Sequence, residues 1–267
     1  MIRVAINGAA GRMGRNLLAA TLDDPALELA AALAPPDHDA IGVDAGTLAG
    51  REPCGVALTA GPDATQFDVA VDFSRPEGTL ALIETCSRHG APVVIGTTGF
   101  SPEQRATIGA AAREIPIVLA PNTGVGVNLV FGLVATAARA LGDDYDAEVL
   151  EAHHRHKVDA PSGTALRLGE VAAEARGHAL GDCAVYSREG HTGERERGSI
   201  GFATVRGGDI VGEHTVLFAG DGERIEITHR AASRMVFARG AMRAAGWIAR
   251  QVPGLYDMQD VLGLARD

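Results

Sequence analysis

Ile2-Arg3-Val4-Ala5-Ile6-Asn7-Gly8-Ala9-Ala10-Gly11-Arg12-Met13-Gly14 is the stretch on which the fold turns. Arg3 to Ile6 is short, apolar and β-prone, the pattern of a strand covered on both faces. Gly8, Gly11 and Gly14 follow with the spacing GxxGxxG, and a helical stretch runs from Arg12 to Leu22. Small residues at such a turn let the backbone approach a pyrophosphate, and the start of the helix offers unpaired N–H groups and partial positive charge. A tight turn without a ligand would use the same glycines. Its place as the first strand-to-helix turn favours a dinucleotide site.

The alternation repeats outward from this turn. Leu27 to Leu33 is a second buried strand, and Ala34 to Gly50, with its prolines, glycines and aspartates, reads as loop. Phe67 to Phe73 is a strand ending at Ser74-Arg75-Pro76, and Pro76 suits the first turn of a helix that reaches His89. Pro92 to Ile95 is a strand ending at Gly96-Thr97-Thr98-Gly99, after which Ser101-Pro102-Glu103-Gln104 opens another helix with capping-box residues. Ile115 to Leu119 is the next strand, ending at Ala120-Pro121-Asn122. Strands alternating with helices predict a parallel sheet with helices on both faces, with ligands beyond the carboxyl ends of the strands. Those ends carry Gly8, Ser74-Arg75, Gly96-Thr97-Thr98 and Pro121-Asn122.

After about residue 125 the pattern changes. Val127 to Leu141 is helical, Ala147 to Glu151 is a strand, and Thr164 to Arg176 is helical again. Ser199 to Arg206, Ile210 to Phe218 and Arg224 to His229 read as antiparallel strands, the first two joined at Gly207-Gly208-Asp209. Arg234 to Gln251 is a final helix. The predicted fold class is α/β: a Rossmann-like parallel-sheet domain over residues 1–125, with 235–267 packing back on it, plus a smaller α+β domain over 126–234.

Bulk composition narrows the function classes. Apolar residues make up 46 % of the 267 and charged residues 22 %, ordinary for a folded chain. A formal net charge of -10 opposes nucleic acid and anionic membrane, so any anionic ligand must be held by local positive charge. Cys54, Cys86 and Cys183 form neither a CxxC pair nor an even set, which fits a reducing compartment and three small buried hydrophobes. The first residues run directly into a strand, and no uninterrupted apolar run nears the roughly 20 residues of a membrane span. The expectation is a cytoplasmic protein without membrane or nucleic-acid partners.

The local positive charge is concentrated in one place. His153-His154-Arg155-His156-Lys157 places five residues able to carry charge at the end of a strand, and Ser162-Gly163-Thr164 then opens a helix. Cations beside a helix N-terminus suit a carboxylate-rich small molecule. Histidine titrates near neutral pH, and lysine can donate a proton to a developing nitrogen anion. A solvated basic turn has the same composition. A zinc site is disfavoured, because the histidines are too close together to converge and no Glu-x-x-His helix pattern accompanies them. RNA binding is opposed by the acidic whole and the lack of nearby aromatics.

The segment Glu151-Ala152-His153-His154-Arg155-His156-Lys157-Val158-Asp159-Ala160-Pro161-Ser162-Gly163-Thr164-Ala165 closely resembles the signature of the 4-hydroxy-tetrahydrodipicolinate reductase (dihydrodipicolinate reductase) family. Val71 to Thr79, Gly96 to Gly99 and Ile227 to Arg234 resemble other stretches of the same family. The resemblance implies NAD(P)H-dependent reduction of a cyclic, unsaturated dicarboxylate in the diaminopimelate route to lysine. It implies His153 as the catalytic histidine, Lys157 as proton donor, His154 as a substrate contact, and Gly163 and Thr164 as the holders of a carboxylate. Gly8, Ala9, Ala10, Gly11, Arg12, Met13, Gly96, Thr97, Thr98, Ala120, Pro121, Asn122 and Thr123 would line the cofactor, with no metal. The first domain would then bind the dinucleotide, and the second would bind substrate and build a homotetramer through its sheet.

The nucleotide remains open between NADH and NADPH. An acid usually ends the second strand to bind the ribose hydroxyls of NAD, but here that strand ends Leu33-Ala34-Pro35-Pro36, with Asp37 further along. Loss of the acid removes repulsion against a 2′-phosphate, which Arg12 or Arg15 could face. Asn122-Thr123-Gly124 also stands where the family often has Asn-Phe-Ser. Two other functions are compatible with parts of the pattern: a related amino-acid-pathway dehydrogenase, opposed by the histidine motif, and a non-catalytic dinucleotide sensor, which would not need to retain His153 and Lys157.

Overall fold

Strand β1 (Ile2–Asn7) is buried on both faces: Val4 and Ile6 enter one hydrophobic core and Ala5 the other, all three fully inaccessible. The computed structural model describes residues 1–61 and 66–264. From β1 the chain continues through α1 (Arg12–Leu22), β2 (Leu27–Leu33), the short α2 (Ala45–Leu48), β3 (Leu58–Thr59), β4 (Val69–Asp72), α3 (Pro76–His89), β5 (Val93–Ile95), α4 (Pro102–Ala111) and β6 (Pro116–Leu119). These strands pair in parallel in the order β6-β5-β4-β1-β2-β3. The order reverses beside β1, so the connections after β1 and β4 leave to opposite sides and open a crevice at the strand ends.

Local chemistry sets the helix limits. α3 starts at Pro76, carries Glu77 in its first turn and Arg88 and His89 in its last, and stops at Gly90, whose φ of 69° suits the left-handed cap. α4 is opened by a complete capping box, with Ser101 accepting from the Gln104 N–H and the Gln104 side chain accepting from the Ser101 N–H. Within 34–50, read as loop, Asp44 caps α2 by accepting from Thr47 N–H. Four residues are too few to show a helical period.

The second compact unit, Gly126–Ser233, is a mixed sheet with helices. α5 (Val125–Leu141) leads to β7 (Asp146–His153), α6 (Gly163–Ala175), the short α7 (Leu180–Cys183), β8 (Ala184–Val185), β9 (Ile200–Arg206), β10 (Gly212–Gly220) and β11 (Glu223–Ala231). The order is β11-β10-β7-β9-β8. β10 and β11 form the antiparallel pair that was expected, but β9 and β10 do not pair with each other. β7 lies between them, parallel to β9 and antiparallel to β10. The Gly207-Gly208 turn bonds instead to the end of β7, through Gly207 N–H to His153 O and Arg155 N–H to Gly208 O. As the central strand, with its Ala147, Val149 and Glu151 face buried, β7 pairs both of its backbone edges, one with β9 and one with β10.

One face of this sheet packs against α5 and α6 through Val149, Phe202, Val216, Val134 and Leu168. By length and composition the helical stretch Val125–Asp144, with mean hydropathy 1.6, could cross a membrane; here Val130, Val134 and Ala138 serve the core of this unit. The chain then returns to the first unit with α8 (Met235–Ile248), β12 (Gly254–Tyr256) and α9 (Met258–Leu262). β12 extends the first sheet as a seventh strand, parallel to β6. The three cysteines are free; Cys86 is buried as expected, whereas Cys54 and Cys183 are only half-buried.

Candidate active site

In the first unit the glycine turn is built by close backbone contacts. Gly8 has φ +77°, and a Cβ there would lie 2.5 Å from Phe73 O. A Cβ on Gly14 would overlap Gly8 O and lie 2.5 Å from Ala9 O. The turn is closed by Gly11 N–H to Gly8 O and anchored by Ala9 N–H to Leu33 O. Ala9 and Gly11 thus spend their N–H groups internally. The first intrahelical bond is Arg15 N–H to Gly11 O, which leaves the N–H groups of Arg12 and Met13 at the open end of α1. Gly11 provides no side-chain cap, and the first turn carries no acid. A tight cradle facing an uncapped, positive helix end fits a dinucleotide pyrophosphate.

The neighbouring strand ends are tied to one carboxylate. Asp72 is fully buried and accepts from Asn7 Nδ2 at 2.6 Å, Ser74 Oγ at 2.6 Å, Thr79 Oγ1 at 2.5 Å and Thr97 Oγ1 at 2.6 Å. Thr97 Oγ1 also accepts from Ser74 N–H. The hydroxyl of Thr97 therefore fixes the β4 and β5 loops, and Thr98, which is exposed, is the accessible hydroxyl of that pair. The Phe73 ring covers Gly96, where any Cβ would overlap it. After β6, Ala120 is buried, Pro121 is exposed, Asn122 Oδ1 accepts from Gly124 N–H, and the buried Thr123 donates to Phe237 O at 2.7 Å.

In the second unit His153 ends β7, with its side chain 12 % exposed. Glu151, two residues earlier and therefore on the same face, meets His153 Nδ1 at 2.6 Å. Glu151 also takes a two-pronged contact from Arg206, 2.7 Å to each oxygen, and accepts from Ser162 N–H at 3.0 Å. Ser162 caps α6 by accepting from Ala165 N–H, and its Oγ lies 3.0 Å from the buried His214 Nε2. Gly163 and Thr164 are the first residues of the helix so capped. Lys157, in the loop between, donates to Asp159 Oδ1 at 2.8 Å. His154 and His156 lie on the same loop with ring centres 6.2 Å apart. Among the described residues no three His, Cys, Asp or Glu side chains gather to hold a metal ion.

The charges in this cluster are strongly conditioned. Burial pushes the Glu151 carboxyl up, but Arg206, His153 and the Ser162 N–H outweigh it and hold it at about 2. Burial, reinforced by His153, pushes the His214 imidazole down to about 3. Below its ordinary 6.5, His214 takes a proton in the unfolded chain well before it does so in the fold, and below 4.5 Glu151 does the same. Stability from both groups is present at neutral pH and lost as the medium acidifies, by several kcal/mol in all. Melting temperature is expected to hold above about pH 7 and to fall steadily below about pH 6. A melting temperature flat down to about pH 4 in calorimetry would contradict this arrangement.

Sequence reasoning overlooked Glu151, Arg206, His214 and Asp72 as parts of the site. Glu151 had a local signal, since Glu-x-His in a strand shares one face. Arg206 had none: it stands opposite His153 only through the β7–β9 register.

A glycine turn at the switch point of a parallel sheet, followed by a unit whose strand end carries histidines and a lysine, is the pattern of a pyridine-nucleotide-dependent oxidoreductase. The chain belongs to the dihydrodipicolinate reductase family: the model for its N-terminus matches residues 2–123 and that for its C-terminus residues 126–262. The 4-hydroxy-tetrahydrodipicolinate reductase of Hahella chejuensis is 57% identical over 268 residues, covering 99% of this chain and 100% of that protein. That of Nitrosospira multiformis is 58% identical over 266 residues, covering 98% of each. The solved structure of dipicolinate-bound dihydrodipicolinate reductase from Paenisporosarcina sp. TG-14 superposes with a TM-score of 0.75 at 26% identity, over 97% of this chain and 98% of that one.

Proposed function

We propose that this chain reduces 4-hydroxy-tetrahydrodipicolinate to tetrahydrodipicolinate with NADPH or NADH, in the diaminopimelate route to lysine. The observation that carries it is the run from β7 to α6, where His153, Lys157 and the Ser162-capped start of a helix lie within one short segment. A dianionic ring needs both carboxylate anchors and a proton donor. The Gly163 and Thr164 N–H groups receive one carboxylate at the positive end of α6, and His154 adds a contact. The Lys157 ammonium, steadied by Asp159, supplies the proton, and the His153 imidazole serves beside it as the acid–base histidine that accepts or passes on a proton. The dihydronicotinamide supplies the hydride; with one proton taken up, the 4-hydroxyl leaves as water. Gly8 to Met13, Gly96 to Thr98 and Ala120 to Thr123 hold the nucleotide.

The deciding assay follows absorbance loss from NADPH and, separately, NADH with freshly generated 4-hydroxy-tetrahydrodipicolinate. Substrate-dependent oxidation is expected with at least one nucleotide. Binding of nucleotide without any turnover would turn the assignment toward a sensor. Arg12 is exposed at the first position of α1, and Ala34-Pro35 places no acid after β2. Both features favour acceptance of a 2′-phosphate, so Arg12→Ala is expected to raise KM for NADPH about tenfold and leave NADH unmoved. An equal change for both would remove Arg12 from selectivity.

The protein is cytoplasmic and homotetrameric in this proposal. Support for assembly comes from the outer face of the five-stranded sheet, where Leu150 and Val205 are 40% and 56% exposed on adjacent strands β7 and β9. Light scattering is expected to give the mass of four chains, and Leu150→Glu to lower it. A monomeric wild type would refute the assembly.

A further inference from the structure

We propose that Glu151, held by Arg206, is the positioning residue of this site: it fixes His153 as the tautomer protonated on Nδ1, leaving Nε2 bare, and fastens that ring to the helix end that receives a carboxylate. The proposal rests on the catalytic reading of His153 given above.

The hydrogen-bond arithmetic is closed around Glu151, whose side chain is 1% exposed. Its Oε1 accepts from Arg206 Nη2 at 2.7 Å, from Ser162 N–H at 3.0 Å and from Thr204 Oγ1 at 3.4 Å. Its Oε2 accepts from Arg206 Nη1 at 2.7 Å and faces His153 Nδ1 at 2.6 Å. A guanidinium and a backbone N–H can only donate, so Glu151 is an ionised acceptor. The ring nitrogen facing it must then carry the hydrogen, which leaves the other nitrogen of a neutral imidazole as an acceptor. A buried carboxylate sets the tautomer of a catalytic histidine in the same way in serine hydrolases.

Two neighbours keep Nε2 usable. Gly212 on β10 has no side chain, and a Cβ there would stand 3.1 Å from His153 Nε2. His214, the next inward residue of β10, meets the His153 ring edge-on, with centres 5.1 Å apart at 73°. It is in turn held by Ser162 Oγ. Ser162 therefore touches Glu151 through its backbone and His214 through its side chain while it caps α6. The acid–base group and the carboxylate-binding helix end share one anchor, so a shift of either is opposed through Glu151.

The test is solid-state 15N NMR of histidine-labelled protein at about pH 8, with the His153 signals assigned by their loss in His153→Gln. Wild type is expected to show a protonated Nδ1 and a bare Nε2 at His153; a ring protonated on Nε2 overturns the proposal. Glu151→Gln should lose that tautomer bias and about 100-fold in kcat, with KM for NADPH unchanged. Arg206→Met should lose about tenfold in kcat and Arg206→Lys recover most of it; equal loss in both would assign Arg206 to packing alone. Should Glu151→Gln fail to fold, the wild-type spectrum still decides. Full turnover by His153→Ala would instead sink the catalytic reading of His153, an outcome separate from the tautomer result.

Discussion

Lys157→Ala is expected to lower turnover by about 10²–10⁴-fold, the usual loss when a positioned proton donor is removed. The Lys157 side chain is 20% exposed and its ammonium is paired with Asp159 at 2.8 Å, so it is held in place without being sealed from a ligand. Its pairing is with a half-exposed carboxylate, which adds little to stability. Melting temperature should therefore barely move, which separates loss of chemistry from loss of fold. The glycine turn proposed to hold the nucleotide belongs to the other unit of the chain, so the Kd for NADPH, read by fluorescence titration, should stay near wild type. Lys157→Arg sharpens the comparison. It keeps the positive charge, and with it the attraction for a dianion, but guanidinium does not release its proton at working pH. KM near wild type with kcat still depressed identifies proton donation; recovery of kcat by arginine would reassign Lys157 to charge alone. Unchanged turnover in Lys157→Ala removes the residue from the mechanism.

The parts of the fold legible in the sequence share one property: their signal is local and long enough to have a period. α1 and β2 fall on Arg12–Leu22 and Leu27–Leu33, because the glycine turn and the apolar runs mark both ends. α3 is bounded by Pro76 and Gly90. β3, with two residues, and β12, with three, carry no such signal. β12 is recognisable only by its pairing with β6, and its Leu255 is 52% exposed. The failed β9–β10 hairpin has the same origin. Gly207-Gly208-Asp209 is sound turn chemistry, but partner choice was decided by β7, more than 50 residues earlier in the chain. At the site, the residue types in the 153–164 segment were readable because the basic run and the helix start are contiguous. The carboxylate that organises them was not, since Arg206, Thr204 and His214 reach Glu151 only through sheet register. At Thr97 and Thr123 the hydroxyls are committed to internal bonds, so what those two positions offer a nucleotide is backbone, which residue type alone does not reveal.

Gly14→Ala should cost both nucleotide binding and several kcal/mol of stability, whereas Gly11→Ala, three residues away in the same turn, should fold with nearly wild-type stability. The difference follows from what each added methyl meets. At Gly14 it would overlap Gly8 O and sit 2.5 Å from Ala9 O, both backbone atoms that cannot rotate aside. At Gly11 the nearest atom is Gly8 O at 3.2 Å, and Gly11 has ordinary extended backbone with φ -72°. Relief at Gly14 requires α1 to lift from the turn, but Leu17 and Leu18 on that helix are fully buried in the core. A packed core resists such a displacement, so the strain passes to the turn, and the N–H groups of Arg12 and Met13 lose their aim. Expected values are a drop in melting temperature of roughly 5–10 °C and a Kd for NADPH weakened at least about 100-fold for Gly14→Ala. Calorimetry and fluorescence titration on the two variants side by side check both. Equal stability in the two would mean that the turn has room the contacts deny. A Gly14→Ala protein that is destabilised yet binds NADPH normally would mean that the end of α1 does not hold the phosphates, and the cradle would have to be sought at the β5 and β6 loops instead.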